Sequence, residues 1–278
     1  MTRIDSHQHF WRYSPTTHGW INEEMSVLKR DFLPPDLAPL LHAQRMDGCV
    51  AVQAAQHEGE TDFLIELAGQ YPFIKGVVGW VDLRAANVKE RLAHYAQYPV
   101  VKGFRHIVQD EPNPQFLLDP DFCHGIEALK EFKFTYDILI YPIHLEVAYL
   151  FASRFPDQPF VLDHLAKPYI REQKLELWAT QIHKLASLPN VSCKLSGMVT
   201  EANWTTWQFA DFRLYAEVIL DAFGPDRVMV GSDWPVCLLA GSYPKVISLA
   251  EILISERTAK EQARIMGLNA QRFYNLTD

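Results

Sequence analysis

Short runs of β-branched and aromatic residues alternate along this chain with longer segments whose apolar residues recur every three or four positions. The short runs indicate strands, and the longer segments indicate amphipathic helices with one buried face. Eight of the short runs are found. A strand is therefore predicted at each of the stretches 3–10, 48–55, 74–83, 100–108, 134–141, 159–164, 190–197 and 227–234.

Eight strands that alternate with helices predict an α/β fold with a mostly parallel sheet, and the number eight favours closure into a (β/α)₈ TIM barrel. An open doubly wound sheet is the alternative, but no G-x-G-x-x-G motif follows the first strand. No internal repeat or low-complexity linker interrupts the pattern, so we expect residues 1–278 to form one domain. The longest irregular stretch, 12–35, would be the first βα loop and is interpreted as a lid or substrate-binding element.

Composition narrows the class of protein. The formal net charge of −8 argues against a nucleic-acid partner, which is usually met by a basic surface. No apolar run approaches the roughly 18 residues that span a bilayer, and the N-terminus lacks a signal-peptide pattern, so a cytoplasmic protein is expected. The cysteines are far apart in the chain and form no C-x-x-C pair, which predicts reduced thiols and no disulfide framework. They are Cys49, Cys123, Cys193 and Cys237.

Polar side chains stand at the carboxyl ends of several predicted strands, where barrel enzymes place their active sites. His7 and His9 are two residues apart on the first strand, so both side chains can face the barrel axis. His164 ends the sixth strand and Asp233 ends the eighth. Three imidazoles and one carboxylate suit either a zinc ion or an acid/base site without a metal.

Two further strands carry candidates with a weaker signal. Arg105 and His106 end the fourth strand, where the alternative is a structural salt bridge on the barrel rim. Lys194 and Ser196 lie on the seventh strand, and Asp137 on the fifth could equally be a buried structural carboxylate.

Several motifs, in their order along the chain, resemble the amidohydrolase superfamily, and more narrowly its amidohydrolase 2 branch. These motifs are the H-x-H of strand one, LDHLAKP at strand six, GSDWP at strand eight and GLNAQRFYNL near the C-terminus. The segments IDSHQHFW, GFRHIVQDEP and CKLSG are similar to the L-fuconolactonase and L-rhamnonolactonase group of that branch. The resemblance extends over essentially the whole chain. It implies a (β/α)₈ barrel with a short C-terminal helical end.

The resemblance also implies an activity, namely hydrolysis of a sugar-acid lactone by attack of water on its carbonyl. Asp233 would be the general base, and His7, His9 and His164 would polarise the carbonyl directly or, with Asp233, hold one divalent metal such as Zn²⁺. The cofactor expectation is therefore one metal ion or none. Binuclear members of the superfamily bridge two metals with a strand-four lysine or a glutamate and add a strand-five histidine. A binuclear centre is not expected here, because strand five has no histidine and Lys102, three residues before Arg105, is expected to face the other way.

For the substrate, the resemblance implies a small lactone. The charge and the lack of a long apolar run leave neither nucleic acid nor membrane as an expected partner, and homo-oligomerisation stays open. Alternatives within the superfamily are a pyrone-dicarboxylate lactonase, for which Arg84 would be the second arginine, and a metal-dependent decarboxylase. A non-catalytic sugar-acid-binding barrel is the alternative from another class. The residues expected to contact substrate are Arg105, His106, Gln109, Trp11, Trp20, Lys194 and Trp234.

Overall fold

A computed structural model describes residues 2–277 and shows eight parallel strands, each paired with the next one in the chain. Every pairing is parallel, so each strand returns to the same end of the sheet through a crossover. The strands are β1 (Ile4–Gln8), β2 (Gly48–Val52), β3 (Ile74–Gly79), β4 (Val101–Ile107), β5 (Thr135–Leu139), β6 (Phe160–Leu162), β7 (Val191–Leu195) and β8 (Val228–Val230).

The first and last strands meet and complete the barrel. A parallel bridge joins Gln8 to Trp234, the Asp233 N–H donates to the His7 carbonyl at 2.8 Å, and the His9 N–H donates to the Trp234 carbonyl at 2.7 Å. The predicted barrel and its eight strands are thus confirmed. The strands are shorter than predicted, because their polar carboxyl ends bend into the loops that form the site.

The longer helices between the strands each bury one apolar stripe. The helix at Pro120–Glu131 has a well-defined start. The Asp119 carboxylate accepts from the Asp121 and Phe122 N–H groups, and Pro120 occupies the first turn. The helices are α1 (Pro34–Ala43), α2 (Glu58–Gln70), α3 (Val88–Tyr95), α4 (Pro120–Glu131), α5 (Leu145–Arg154), α6 (Glu176–Ala186), α7 (Met198–Glu201), α8 (Ala210–Phe223), α9 (Tyr243–Leu253), α10 (Ala259–Ala263) and α11 (Asn269–Phe273). In the described part of the chain, no helix combines the length and apolarity needed to cross a bilayer.

The chain's last helical segments close the barrel at the amino ends of its strands. Ala270, Tyr274 and Leu276 pack into one cluster with apolar residues of five strands, among them Val50 and Val161. This C-terminal helical end was predicted and is confirmed. It leaves the carboxyl ends of the strands as the open face of the barrel.

The long first loop is tied to the barrel. Trp11 and Phe32 exchange backbone hydrogen bonds of 3.0 and 2.9 Å, and the indole of Trp11 donates to the Arg30 carbonyl. A short 3₁₀ turn at Ser26–Leu28 buries Leu28 completely. The loop therefore holds a defined shape beside the open face.

We predict opposite effects for two glycine-to-alanine changes in helices. A Cβ on Gly125 of α4 would lie 2.0 Å from the Leu83 carbonyl oxygen, so Gly125→Ala should lower the free energy of unfolding by about 1–3 kcal/mol through overpacking. Gly69 of α2 has open space around it, so Gly69→Ala should raise stability by about 0.5–1 kcal/mol. Urea denaturation of both variants tests this, and equal effects would contradict the packing seen at Gly125.

Candidate active site

The four residues predicted to form a cluster do meet at the open face of the barrel. The Nε2 atoms of His7 and His9 lie 3.2 Å apart. Asp233 Oδ1 lies 3.3 Å from His9 Nε2 and 3.8 Å from the Nε2 atoms of both His7 and His164. All four side chains are almost completely buried. Three strands that are distant in the chain thus contribute to one constellation.

Left-handed backbone places two of these side chains. Asp233 has φ of +56°, and His164 begins four consecutive non-glycine residues with positive φ that end at Lys167. Such conformations cost energy and are concentrated at functional sites. Gly197 completes the arrangement, because a Cβ there would lie 2.5 Å from His164 Nδ1. The turn after β6 is therefore shaped around the His164 ring.

A buried carboxylate connects the two strands that close the barrel. Asp5 Oδ1 accepts from the Ser232 N–H at 2.8 Å and the His7 N–H at 3.2 Å, while Oδ2 accepts from the Ser232 hydroxyl at 2.6 Å. Burial raises the pKa of Asp5 to about 6 in spite of these donors. Asp5 thus holds the backbone on both sides of the cluster in register.

Outer hydrogen bonds orient the rings. His9 Nδ1–H donates to the Val52 carbonyl at 2.7 Å, which turns Nε2 towards Asp233 and His7. His164 Nδ1 lies 2.9 Å from the Ser196 hydroxyl, and its Nε2 also faces Asp233. Ser196 therefore supports the cluster by orienting His164.

His7 has contacts on both ring nitrogens that admit two tautomers. Its Nδ1 lies 3.0 Å from Lys194 Nζ and 3.3 Å from Asp163 Oδ1. If Nδ1 accepts from Lys194, Nε2–H can donate to His9 Nε2, but Nε2 then cannot accept from Arg105 Nη1, which lies 3.3 Å away. If Nδ1–H donates to Asp163, the Nε2 lone pair faces the cluster as a metal ligand would.

Beneath the cluster lies a network of fully buried charges. Lys194 Nζ lies 2.5 Å from Asp137 Oδ2 and 3.0 Å from Asp163 Oδ1. Arg105 donates to Asp163 Oδ2 at 2.9 Å and to the Gln53 side-chain oxygen at 3.0 Å. Two cations therefore balance two carboxylates, as burial of charge requires.

The electrostatics set the protonation of the cluster. Burial lowers the pKa of His7 well below its ordinary value and that of His164 to about 4, which outweighs the nearby carboxylates. Burial alone would raise the pKa of Asp233, but His164, His9 and Lys167 together outweigh it and lower this pKa. At neutral pH an ionised Asp233 therefore faces the neutral imidazoles of His7 and His164.

The donor set fits a divalent metal. The ligand atoms of His7, His164 and Asp233 lie within 4.8 Å of one another, and all three residues are buried. His9 Nε2 lies 3.2 Å from His7 Nε2, and two nitrogens this close repel unless a proton or a cation lies between them. Neutral imidazole nitrogens and a carboxylate oxygen are ordinary zinc ligands. The cluster could thus hold one metal ion.

A cavity of about 290 Å³ opens over the cluster, near the lower end of the range for small-molecule sites. Six of the predicted site residues line it. They are His9, Trp20, Arg105, Gln109, His164 and Asp233. The cavity thus has the size and position expected of a substrate site.

Other predicted contacts lie away from this cavity. Trp11 and Trp234 are buried in the core beside Phe32, and His106 is stacked on Phe116 with its Nε2 2.6 Å from Glu111 Oε1. Lys194 is fully buried below His7. The geometry therefore supports packing or structural roles for these four residues and not direct contact with substrate.

Several residues that line the cavity were missed by the sequence reasoning. Tyr141 follows β5 and Lys167 belongs to the LDHLAKP motif, so the rule that sites collect at strand ends could have identified both. The residues after β7 and β4 carried no such signal, since loop positions converge only through the fold. These are Thr200, Glu201, Trp204 and Asp110.

A larger groove of about 1090 Å³ lies elsewhere and contains none of the predicted site residues. Its lining includes the exposed side chains of Ile143, Leu177 and Leu214. It lacks the convergent titratable groups of the cluster, so the smaller cavity is the better candidate for chemistry.

Imidazoles and a carboxylate at the carboxyl-end face of a barrel are the arrangement of a barrel enzyme's active site, and comparison with known families identifies the class further. The profile described as Amidohydrolase matches residues 4–276. The chain belongs to this amidohydrolase family.

Individual relatives agree with this assignment. An L-fucono-1,5-lactonase of Burkholderia multivorans is 44% identical over an alignment of 287 positions, gaps included, that covers 99% of this chain and 97% of the relative. A crystal structure of an amidohydrolase from Burkholderia multivorans with bound zinc has a TM-score of 0.96 at 44% identity, with full coverage of both chains. A probable 2-pyrone-4,6-dicarboxylic acid hydrolase from Acinetobacter baumannii, at 16% identity, has a TM-score of 0.79 over 99% of this chain and 100% of its own, and it shows the same fold alone.

We predict a pH-dependent stability effect at Glu60, whose Oε1 accepts from the Ala54 N–H at the cavity wall. Burial raises the pKa of Glu60 from 4.5 to about 7, so its ionisation opposes folding increasingly as the pH rises from about 4.5 to 7. Glu60→Gln should therefore stabilise the protein by about 1–3 kcal/mol more at pH 8 than at pH 4.5, as measured by urea denaturation. Glu66→Gln, at an exposed position of the same helix, is the control; an equal pH dependence in both variants would contradict the assignment.

Proposed function

We propose that this protein is a lactonase that hydrolyses a neutral sugar-acid lactone, such as L-fucono-1,5-lactone, to the free acid. The observation that carries the proposal is the cluster of His7, His9, His164 and Asp233 at the base of the cavity. The chain that presents this cluster is 44% identical, over nearly its full length, to an L-fucono-1,5-lactonase.

Asp233 is the proposed general base. Its carboxylate is ionised at neutral pH, lies within 3.8 Å of three imidazole nitrogens and borders the cavity. A water molecule beside Oδ1 can therefore pass its proton to Asp233 as it attacks the lactone carbonyl. The neighbouring rings hold this carboxylate in place.

Stabilisation of the developing oxyanion falls to the histidines. Without a metal, His164 is the ring that can donate to the oxyanion: it lines the cavity, and when its Nδ1 accepts from the Ser196 hydroxyl its Nε2 carries the proton. We propose that the cluster instead holds one Zn²⁺ through His7, His164 and Asp233, with His9 adjacent, as the zinc-bound relative suggests. When bound, such an ion would polarise the carbonyl and lower the pKa of water.

The lining of the cavity supports a neutral polyhydroxylated substrate. Asp110 and Glu201 can accept hydrogen bonds from hydroxyl groups, and Trp20 and Trp204 offer flat faces to the C–H side of a sugar ring. Lys167 also lines the cavity, and within residues 2–277 it has no carboxylate at ion-pair distance. We propose that Lys167 receives the carboxylate formed when the ring opens.

The pyrone-dicarboxylate alternative is less well supported. Two substrate carboxylates would call for two arginines that are free to bind them. The guanidinium of Arg105 is already engaged by Asp163 and Gln53. Arg84 does not line the cavity but lies over the Phe116 ring, 5.1 Å from its centre.

We further propose that the chain works as one domain in the cytoplasm. The family profile spans residues 4–276 without interruption, which supports one domain. Its four cysteines are unpaired, and three of them are buried, which supports a reducing compartment.

The main test of the mechanism is Asp233→Asn. Loss of the base should reduce kcat for L-fucono-1,5-lactone by about 10³-fold or more, because the amide cannot accept the proton of water. The assay follows acid release with a pH indicator and subtracts spontaneous hydrolysis. Asp157→Asn, at an exposed ion pair with Lys130, should leave the rate unchanged. A folded Asp233→Asn protein with a near-normal rate would refute the role of this residue.

The substrate class has a separate test. Purified protein is screened against several aldonolactones and against 2-pyrone-4,6-dicarboxylate, each with and without a chelator, and its metal content is measured by elemental analysis. We expect turnover of neutral aldonolactones, none of the dicarboxylate, and a large loss of rate after metal removal that zinc restores. Acid release from no lactone at all would favour the decarboxylase or the non-catalytic barrel instead.

A further inference from the structure

Two groups of potential metal ligands share one histidine. The first is the group of His7, His164 and Asp233 described above, and the second consists of His7, Asp137 and Asp163. All members of the second group are fully buried, and its ligand atoms also lie within 4.8 Å of one another. The two groups thus meet at the His7 ring.

The second group already surrounds a cation of the chain itself. The Lys194 ammonium lies 2.5 Å from Asp137 Oδ2, 3.0 Å from Asp163 Oδ1 and 3.0 Å from His7 Nδ1. An ammonium has three N–H donors, and three acceptor atoms surround this one. Lys194 has no exposed surface, so its charge is balanced entirely by these neighbours.

The rest of the structure holds this arrangement in place. The Tyr274 hydroxyl reaches up from the closed end of the barrel and donates to Asp137 Oδ2 at 2.8 Å. The Tyr274 ring centre lies 5.4 Å from Lys194 Nζ, within reach of a cation–π interaction. Asp137 Oδ1 has no hydrogen-bond partner in the described structure, so this oxygen retains capacity to coordinate a cation.

We propose that the Lys194 ammonium is a built-in cation that occupies a second metal position. Three oxygen and nitrogen donors with metal-ligand spacing would bind a divalent ion if the ammonium were absent. Lys194 therefore excludes a second ion next to the cluster, and its removal converts the position into a metal site made by Asp137, Asp163 and His7. The inference is independent of the lactonase activity. It uses His7 in the tautomer in which Nδ1 accepts from Lys194.

The test locates bound zinc in the wild-type protein and in the Lys194→Ala variant. Crystals of both are grown with zinc, and anomalous scattering shows where the ion binds. We expect a zinc ion between Asp137 and Asp163 in the variant and none at that position in the wild-type protein. Zinc at that position in the wild-type protein, or its absence from the folded variant, would overturn the proposal.

Stability gives a second measurement, because removal of Lys194 leaves two buried carboxylates with a single cation, Arg105. Zinc should raise the Tm of Lys194→Ala clearly more than that of wild type, since the bound ion replaces the lost charge. A variant that stays unfolded even with zinc would also contradict the proposal.

Two further variants serve as controls. Lys194→Ala combined with Asp137→Asn regains the charge balance but loses a ligand, so it should fold without the extra zinc ion. Lys102→Ala removes a lysine whose ammonium donates to the Asn275 carbonyl, and it should create no new zinc position. A wild-type protein that hydrolyses no lactone would refute the proposed function and leave this inference untouched.

Discussion

The buried balance of charge inside the barrel is the constraint on which the site depends. Asp137 and Asp163 are offset by Lys194 and Arg105 in the almost completely buried interior of the barrel. Burial of any one of these charges without its partner would cost several kcal/mol of folding free energy, so all four side chains are restricted to one arrangement. His7 contacts three members of the set and is fixed by it.

The site is consequently supported from both ends of the barrel. From the closed end, Tyr274 holds Asp137, and so connects the C-terminal segment to the chemistry above it. From the open end, left-handed backbone at His164 and Asp233 turns these side chains towards each other. Packing and the Asp5 hydrogen bonds offset the cost of that backbone, which is how strained positions persist in folded proteins.

Sequence reasoning succeeded where a local pattern carries the information. The two-residue spacing of His7 and His9 predicted that they share a face, and their Nε2 atoms indeed meet. It was less successful with large aromatic and cationic side chains. Trp11 and Trp234 are buried in the core, and Lys194 lies under His7, because residue type alone does not distinguish a cavity wall from a core position.

By itself, the sequence determined the barrel and the polar character of its strand ends, since strand and helix periodicities are local properties that recur eight times. Only the tertiary structure decided which polar residues face the cavity, which nitrogen of each ring faces the cluster, and that Lys194 has carboxylates for partners. Those outcomes depend on contacts between residues more than a hundred positions apart, such as His7 and Asp233. No local pattern of residues encodes such contacts.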